Sequence, residues 1–152
     1  MTINAATAYL LLDKAFQKAD KGTLREAKVM LEKEQSELEQ AEQNPDFSLH
    51  QYQETHPSDG RADLLRHVRE ASQTAAGGGI IGSLMRSAFY DMGLIRTHDE
   101  LTLAHTELHQ KDVDAILADL KKETGLSDAQ IHALLEEASK ELTNNESSLQ
   151  SN

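Results

Sequence analysis

Apolar residues recur at helical intervals almost from the first position of this chain. Ala5, Ala8 or Tyr9, Leu12, Phe16 and Ala19 recur at helical spacing, which places side chains on one face of a helix. They predict a first helix ending near Gly22. Leu10 and Leu11 widen its apolar surface beyond one stripe, so this helix is expected to touch more than one neighbour. Thr23 to Glu26 then read as a capping box, in which the threonine oxygen satisfies an orphan amide and the glutamate reaches back. Leu24, Leu31 and Leu38 repeat every seven residues, with Ala27 and Ala41 three residues after the first and last of them, a thin helical seam. From Glu32 to Gln43 the same helix is nearly all polar. That half is expected either to project into solvent or to pair with a partner that supplies the missing apolar side.

Asn44-Pro45 is expected to end this helix. Pro45 and Pro57 bracket a stretch read as a loop, carrying Phe47, Leu49, His50, Tyr52 and His56, and Asp59-Gly60 marks a turn. Leu64, Leu65, Val68, Ala71 and Ala75 predict a third helix. The run Gly77 to Gly82 leads into the most apolar part of the chain, with Leu84, Met85, Ala88, Phe89 and Met92, and Ile80 to Met92 is expected to be the most buried element. Thr97 to Glu100 is a second capping box, opening a helix with Leu101, Ala104 and Leu108 on one face. Around Gln110 to Asp112 the apolar phase shifts to Val113, Ile116, Leu117 and Leu120, so the chain either breaks there or changes partner. Gly125 ends that stretch. Ser127 to Gln130 is a third capping box, ahead of Ile131, Leu134, Leu135 and Ala138. No segment shows the alternation of a strand. The expected fold is all-α: a single compact domain over residues 1–143, with five to seven helices around a central apolar helix. Residues 144–152 are expected to form a disordered polar tail.

Composition narrows the picture. A chain of 152 residues fits one domain. Aromatic residues make up 4% and Trp is absent, so the core must come from Leu, Ile, Ala and Met. There is no cysteine, which removes disulfides, thiolate metal ligands and cysteine nucleophiles together. No apolar run approaches the roughly 20 residues of a membrane span. The first residues lack the basic segment of a signal peptide, so a cytoplasmic protein is expected. The formal charge of −11 disfavours direct contact with nucleic acid or an anionic membrane. That charge is uneven: residues 1–60 carry −5 and residues 97–152 carry −8, whereas residues 61–96 carry +2, all of their basic groups being arginine.

Four features are candidates for function. Gly77, Gly79 and Gly82 satisfy G-x-G-x-x-G, but a helix and not a strand is expected before them, so the dinucleotide reading lacks its context. A kink or break between helices is the expected role. Arg61, Arg66, Arg69 and Arg86 form a candidate patch for an anionic partner, because arginine favours bidentate contact with carboxylate or phosphate. The competing reading is that they answer the chain's own acidic helices. His98, His105, His109 and Asp112 fall within about 60° of one another on a continuous helix, which makes them candidate ligands for a divalent metal such as zinc or nickel. No E-x-x-H pair of a di-iron bundle accompanies them, and a solvated polar face is the competing reading. Finally, Leu120, Gly125, Leu126, Ile131 and Leu134 have helix-turn-helix spacing. The second helix is too acidic to lie against phosphates, leaving a generic helical hairpin.

No catalytic constellation or bound cofactor is indicated. The expected function is a non-enzymatic module that binds another protein, or itself as a homo-oligomer: an adaptor, inhibitor or assembly factor. Its expected contact residues are Arg61, Arg66, Arg69, Arg86, Leu31 and Leu38. The alternatives are a metal-binding helical protein using the histidines, or an acidic inhibitor that mimics DNA.

Overall fold

The computed structural model describes residues 3–75 and 106–150. Those residues form six α-helices: α1 (Ala5–Lys18), α2 (Leu24–Glu42), α3 (Leu49–Thr55), α4 (Gly60–Ala75), α5 (Gln110–Thr124) and α6 (Asp128–Gln150). The chain is all-helical over the described residues, with no sheet. The expected central helix at Ile80 to Met92 and the glycine run before it lie outside them, as do Arg86, His98 and His105.

Among the described helices, α1 is the centre. Nine of its fourteen residues are buried, including Tyr9, Leu11, Leu12 and Phe16. Four of the nine are alanines, which let neighbouring backbones approach closely. The widened apolar surface read from Leu10 and Leu11 has its consequence here: α1 packs against α6 most extensively, and also against α4, α2 and α5. Lys14 Nζ adds an ion pair to Glu141 of α6 at 2.7 Å.

The start of α1 is fixed twice. Asn4 Oδ1 accepts from the Thr7 backbone N–H at 2.9 Å, satisfying one of the orphan amides of the first turn. The backbone around it pairs with the segment before α5. Ala5 N–H donates to Thr106 O at 3.0 Å and Leu108 N–H donates to Ile3 O at 2.9 Å, around an antiparallel bridge between Asn4 and Glu107. Leu108, expected on a helical face, is buried in this extended segment. Of the two expectations for Gln110 to Asp112, a break or a change of partner, the structure has the break: α5 starts there, with His109 in extended conformation just before it.

The capping box at Thr23 and Glu26 is present in both directions, and Asp13 of α1 accepts from the next amide, Leu24 N–H, at 2.9 Å. Gly22 in the preceding turn has φ +81°, and a Cβ there would run into the Glu26 side chain. The seam divides as its composition suggested. Leu24, Ala27 and Leu31 are buried against the bundle, and no residue of α2 beyond Leu31 is buried. On α4, Leu64, Leu65, Val68 and Ala71 of the predicted stripe are buried and Ala75 is partly buried, joined by Ala62 and Ser72.

Gly125 ends α5 in the left-handed region at φ 72°, and its N–H donates to Lys121 O at 2.9 Å. The third capping box is also reciprocal: Ser127 N–H donates to Gln130 Oε1 at 2.9 Å, and Gln130 N–H to Ser127 Oγ at 3.2 Å. Consecutive α5 and α6 nevertheless make few contacts with each other; each packs on other helices instead. The expected helical hairpin is therefore a splayed pair. One further expectation is corrected: between the prolines stands a short helix, α3, started by Ser48, whose Oγ accepts from Gln51 N–H. The last helix, α6, runs to Gln150.

Burial separates strong from weak positions. Phe16→Ala is expected to lower the unfolding free energy by about 3–5 kcal/mol. Val29→Ala, at a side chain 60% exposed, is expected to change it by less than about 0.5 kcal/mol. Urea titration of both variants checks the contrast, and similar losses for the two would contradict it.

Candidate interaction surface

Glu34 organises the part of the molecule that stands outside the core. By the heptad of Leu24, Leu31 and Leu38 it occupies a seam position, where an apolar residue would be the default. Its carboxylate instead gathers the far end of the following excursion. Oε2 accepts from Ser58 Oγ at 2.9 Å, Oε1 accepts from Asp59 N–H at 2.9 Å, and Arg66 of α4 approaches Oε2 at 3.5 Å. This clasp closes the base of residues 35–57. By the helical rise, α2 continues about 12 Å past it, from Glu34 to Glu42.

Beyond the clasp no side chain is buried. Leu38 and Ala41 are half-buried, and α3 has no buried residue and no extensive packing on any other described helix. The tip of this arm packs on itself. The Phe47 and Tyr52 rings lie 5.9 Å apart, and the His56 ring stacks on Tyr52 at 4.0 Å with planes 6° apart. Leu49 beside them is 49% exposed. Residues 35–57 carry five carboxylates and no Lys or Arg.

The arginines expected to face an anionic partner are placed among the chain's own acids. Arg61 pairs with Asp59 through Nε at 3.1 Å and Nη2 at 3.1 Å, and Nη1 donates to Lys21 O at 2.8 Å. Glu26 and Glu123 add to the negative field around it. Hydrogen bonding to the Arg61 side chain holds the Asp59 carboxyl below its usual range, against a smaller opposing effect of burial. Arg66 joins Asp63 at 2.6 Å as well as Glu34. Arg69 is half-buried and near enough to Tyr9 to favour its ionised form, although burial dominates and pushes that phenol well up. Arg61 and Arg66 thus each form ion pairs with carboxylates of the chain itself. Leu31 is fully buried in the core. Leu38, one heptad on, lies in the arm.

The histidine candidates lose the geometry that grouped them. Thr106 to His109 are not helical, so the one-turn spacing between His105 and His109 does not follow. His109 is exposed beside the first turn of α5, and Asp112 faces His67 of α4 at 3.7 Å. Among the described residues, no group of three His, Asp or Glu is placed to hold a metal ion. No described helix is long and apolar enough to cross a membrane.

One cleft accompanies the splay of α5 and α6. It measures about 430 Å³ and is lined by Leu117, Ala118, Lys121, Asp128, Ile131, His132 and Leu135. Lys121 and Asp128 pair across its end at 3.2 Å. Sequence reasoning missed both this cleft and the Glu34 clasp. The signal for the clasp was an acid in an otherwise apolar seam; for the cleft there was none.

Compared with known proteins, the chain matches no family model, no curated protein and no solved structure.

Two outcomes test the clasp. Glu34→Ala is expected to accelerate chymotrypsin cleavage after Phe47 and Tyr52 several-fold, with Tyr9 and Phe16 still protected. Unchanged cleavage would show that Glu34 does not hold the arm. Asp59, with a lowered folded pKa, contributes stability that is complete above the usual carboxylate range and lost as pH falls through the lowered value. Asp59→Asn is therefore expected to reduce the urea midpoint at pH 7, with the gap closing below about pH 4. A gap independent of pH would contradict this account of Asp59.

Proposed function

We propose that this protein is a non-enzymatic interaction module that engages another protein through the arm of residues 35–57. The observation carrying this reading is that the arm adds no buried side chain to the core, yet is held at its base by three polar contacts to one carboxylate. Keeping a segment ordered costs conformational entropy, roughly 1–2 kcal/mol per residue for the backbone. A segment that does not repay this through core packing has its use in what it presents. It presents an incomplete apolar stripe on α2 and a self-stacked aromatic tip, and aromatic side chains are frequent energetic anchors of protein interfaces.

Replacing residues 37–55 by a short Gly/Ser linker tests the proposal. The shortened protein is expected to retain its helical circular dichroism and to melt within a few degrees of the parent chain. It is also expected to lose the protein that co-purifies with the parent from native lysate. A parent chain that is strictly monomeric and recovers nothing specific, or a shortened one that recovers the same protein, would overturn the assignment.

A further inference from the structure

We propose, resting on that reading, that the distal half of α2 docks a cationic amphipathic helix of a different protein in coiled-coil fashion. The heptad that buries Leu24 and Leu31 in the bundle continues past the clasp with Leu38 and Ala41 as the next pair of seam positions. In the proximal half, α1 and α4 cover this seam. In the distal half the same two positions are only half-buried, and no residue of α2 beyond Leu31 is buried. A helix lying there would extend the packing that the bundle itself supplies one heptad earlier.

Charge selects the partner. Glu37 precedes Leu38 and Glu42 follows Ala41, the positions that flank a coiled-coil seam and set partner choice through interhelical ion pairs. Both are exposed and neither forms an ion pair among the described residues; Lys33, one turn before Glu37, is the nearest basic residue along α2. Nearer the core, by contrast, Glu34 is answered by Arg66, Glu123 by Lys21 and Glu141 by Lys14. A second copy of this chain does not fit the seam. Parallel pairing would set Glu37 against Glu42 of the other copy, and antiparallel pairing would set each glutamate against its own equivalent. Like charges so placed are destabilising. A helix with leucines in its seam and Lys or Arg flanking them satisfies both requirements.

The test uses the full chain and three synthetic helical peptides of three heptads. All carry Leu at the seam; the flanking positions are Lys in the first, Glu in the second and Gln in the third. Binding is read by fluorescence anisotropy, and its location by amide chemical-shift changes. The Lys peptide is expected to bind at least tenfold tighter than the Glu peptide and to shift residues 35–57. The double charge reversal Glu37→Lys/Glu42→Lys is expected to invert that preference. Leu38→Ser is expected to weaken the Lys peptide at least tenfold without altering the melting temperature. No binding, shifts confined to the cleft between α5 and α6, or a preference that survives charge reversal would each overturn the proposal. Equal binding of Lys and Gln peptides at Leu38 would overturn the cationic partner while leaving the interaction module standing.

Discussion

A chain with few aromatic side chains has to draw its core from aliphatic and small residues, and here one helix bears most of that demand. α1 buries side chains around most of its circumference, and four described helices pack on it. Its alanines make close approach feasible, while Tyr9, Leu11, Leu12 and Phe16 supply the volume. The position of every other described element except α3 follows from it. α2 starts where Asp13 accepts the Leu24 amide, and α6 packs along α1, with Lys14 pairing Glu141 at the surface. The segment leading into α5 is pinned by backbone pairing to the residues just before α1.

The same arrangement explains why α2 has two characters. Its first two turns bury the seam at Leu24, Ala27 and Leu31; beyond Leu31 none of its residues is buried. Glu34 marks the border between these regimes. Placed where a leucine would extend the core, it instead binds the backbone and side chains at the end of the excursion. The arm is thereby held by polar contacts and the core by apolar ones, two kinds of interaction that respond differently to mutation and solvent.

Much of this was legible in the sequence. Stripes at Leu64, Leu65, Val68 and Ala71, or at Ile131, Leu134, Leu135 and Ala138, depend only on periodicity, and those side chains are buried. The capping boxes at Thr23 and Ser127 are local chemistry over four residues, and both form. What was not legible depends on distance in space. Glu34 meets Ser58 and Arg66, and Arg61 meets Lys21 O, across separations that no local pattern encodes. The helix at Leu49 was hidden by its flanking prolines, which read as a loop. The histidine grouping assumed one unbroken helix, whereas Thr106 to His109 are extended and pair with Ile3 to Ala5; His98 and His105 lie outside the described residues. The candidate contact residues divide in the same way. Leu31 belongs to the core, and Arg61 and Arg66 to internal ion pairs. Leu38 is left in the arm by the geometry of α2 alone.

The central claim is that core and arm are separate units of stability, joined at Glu34. Native-state hydrogen exchange with peptide-level mass spectrometry addresses it most directly, because locally opening segments exchange at lower free energy than those that need global unfolding. Amides of α1 are expected to be among the slowest, exchanging only on global unfolding, while those of residues 44–57 exchange through local opening at a rate insensitive to core destabilisation. Exchange of the arm and α1 with the same free energy, falling together under low denaturant, would contradict the separation.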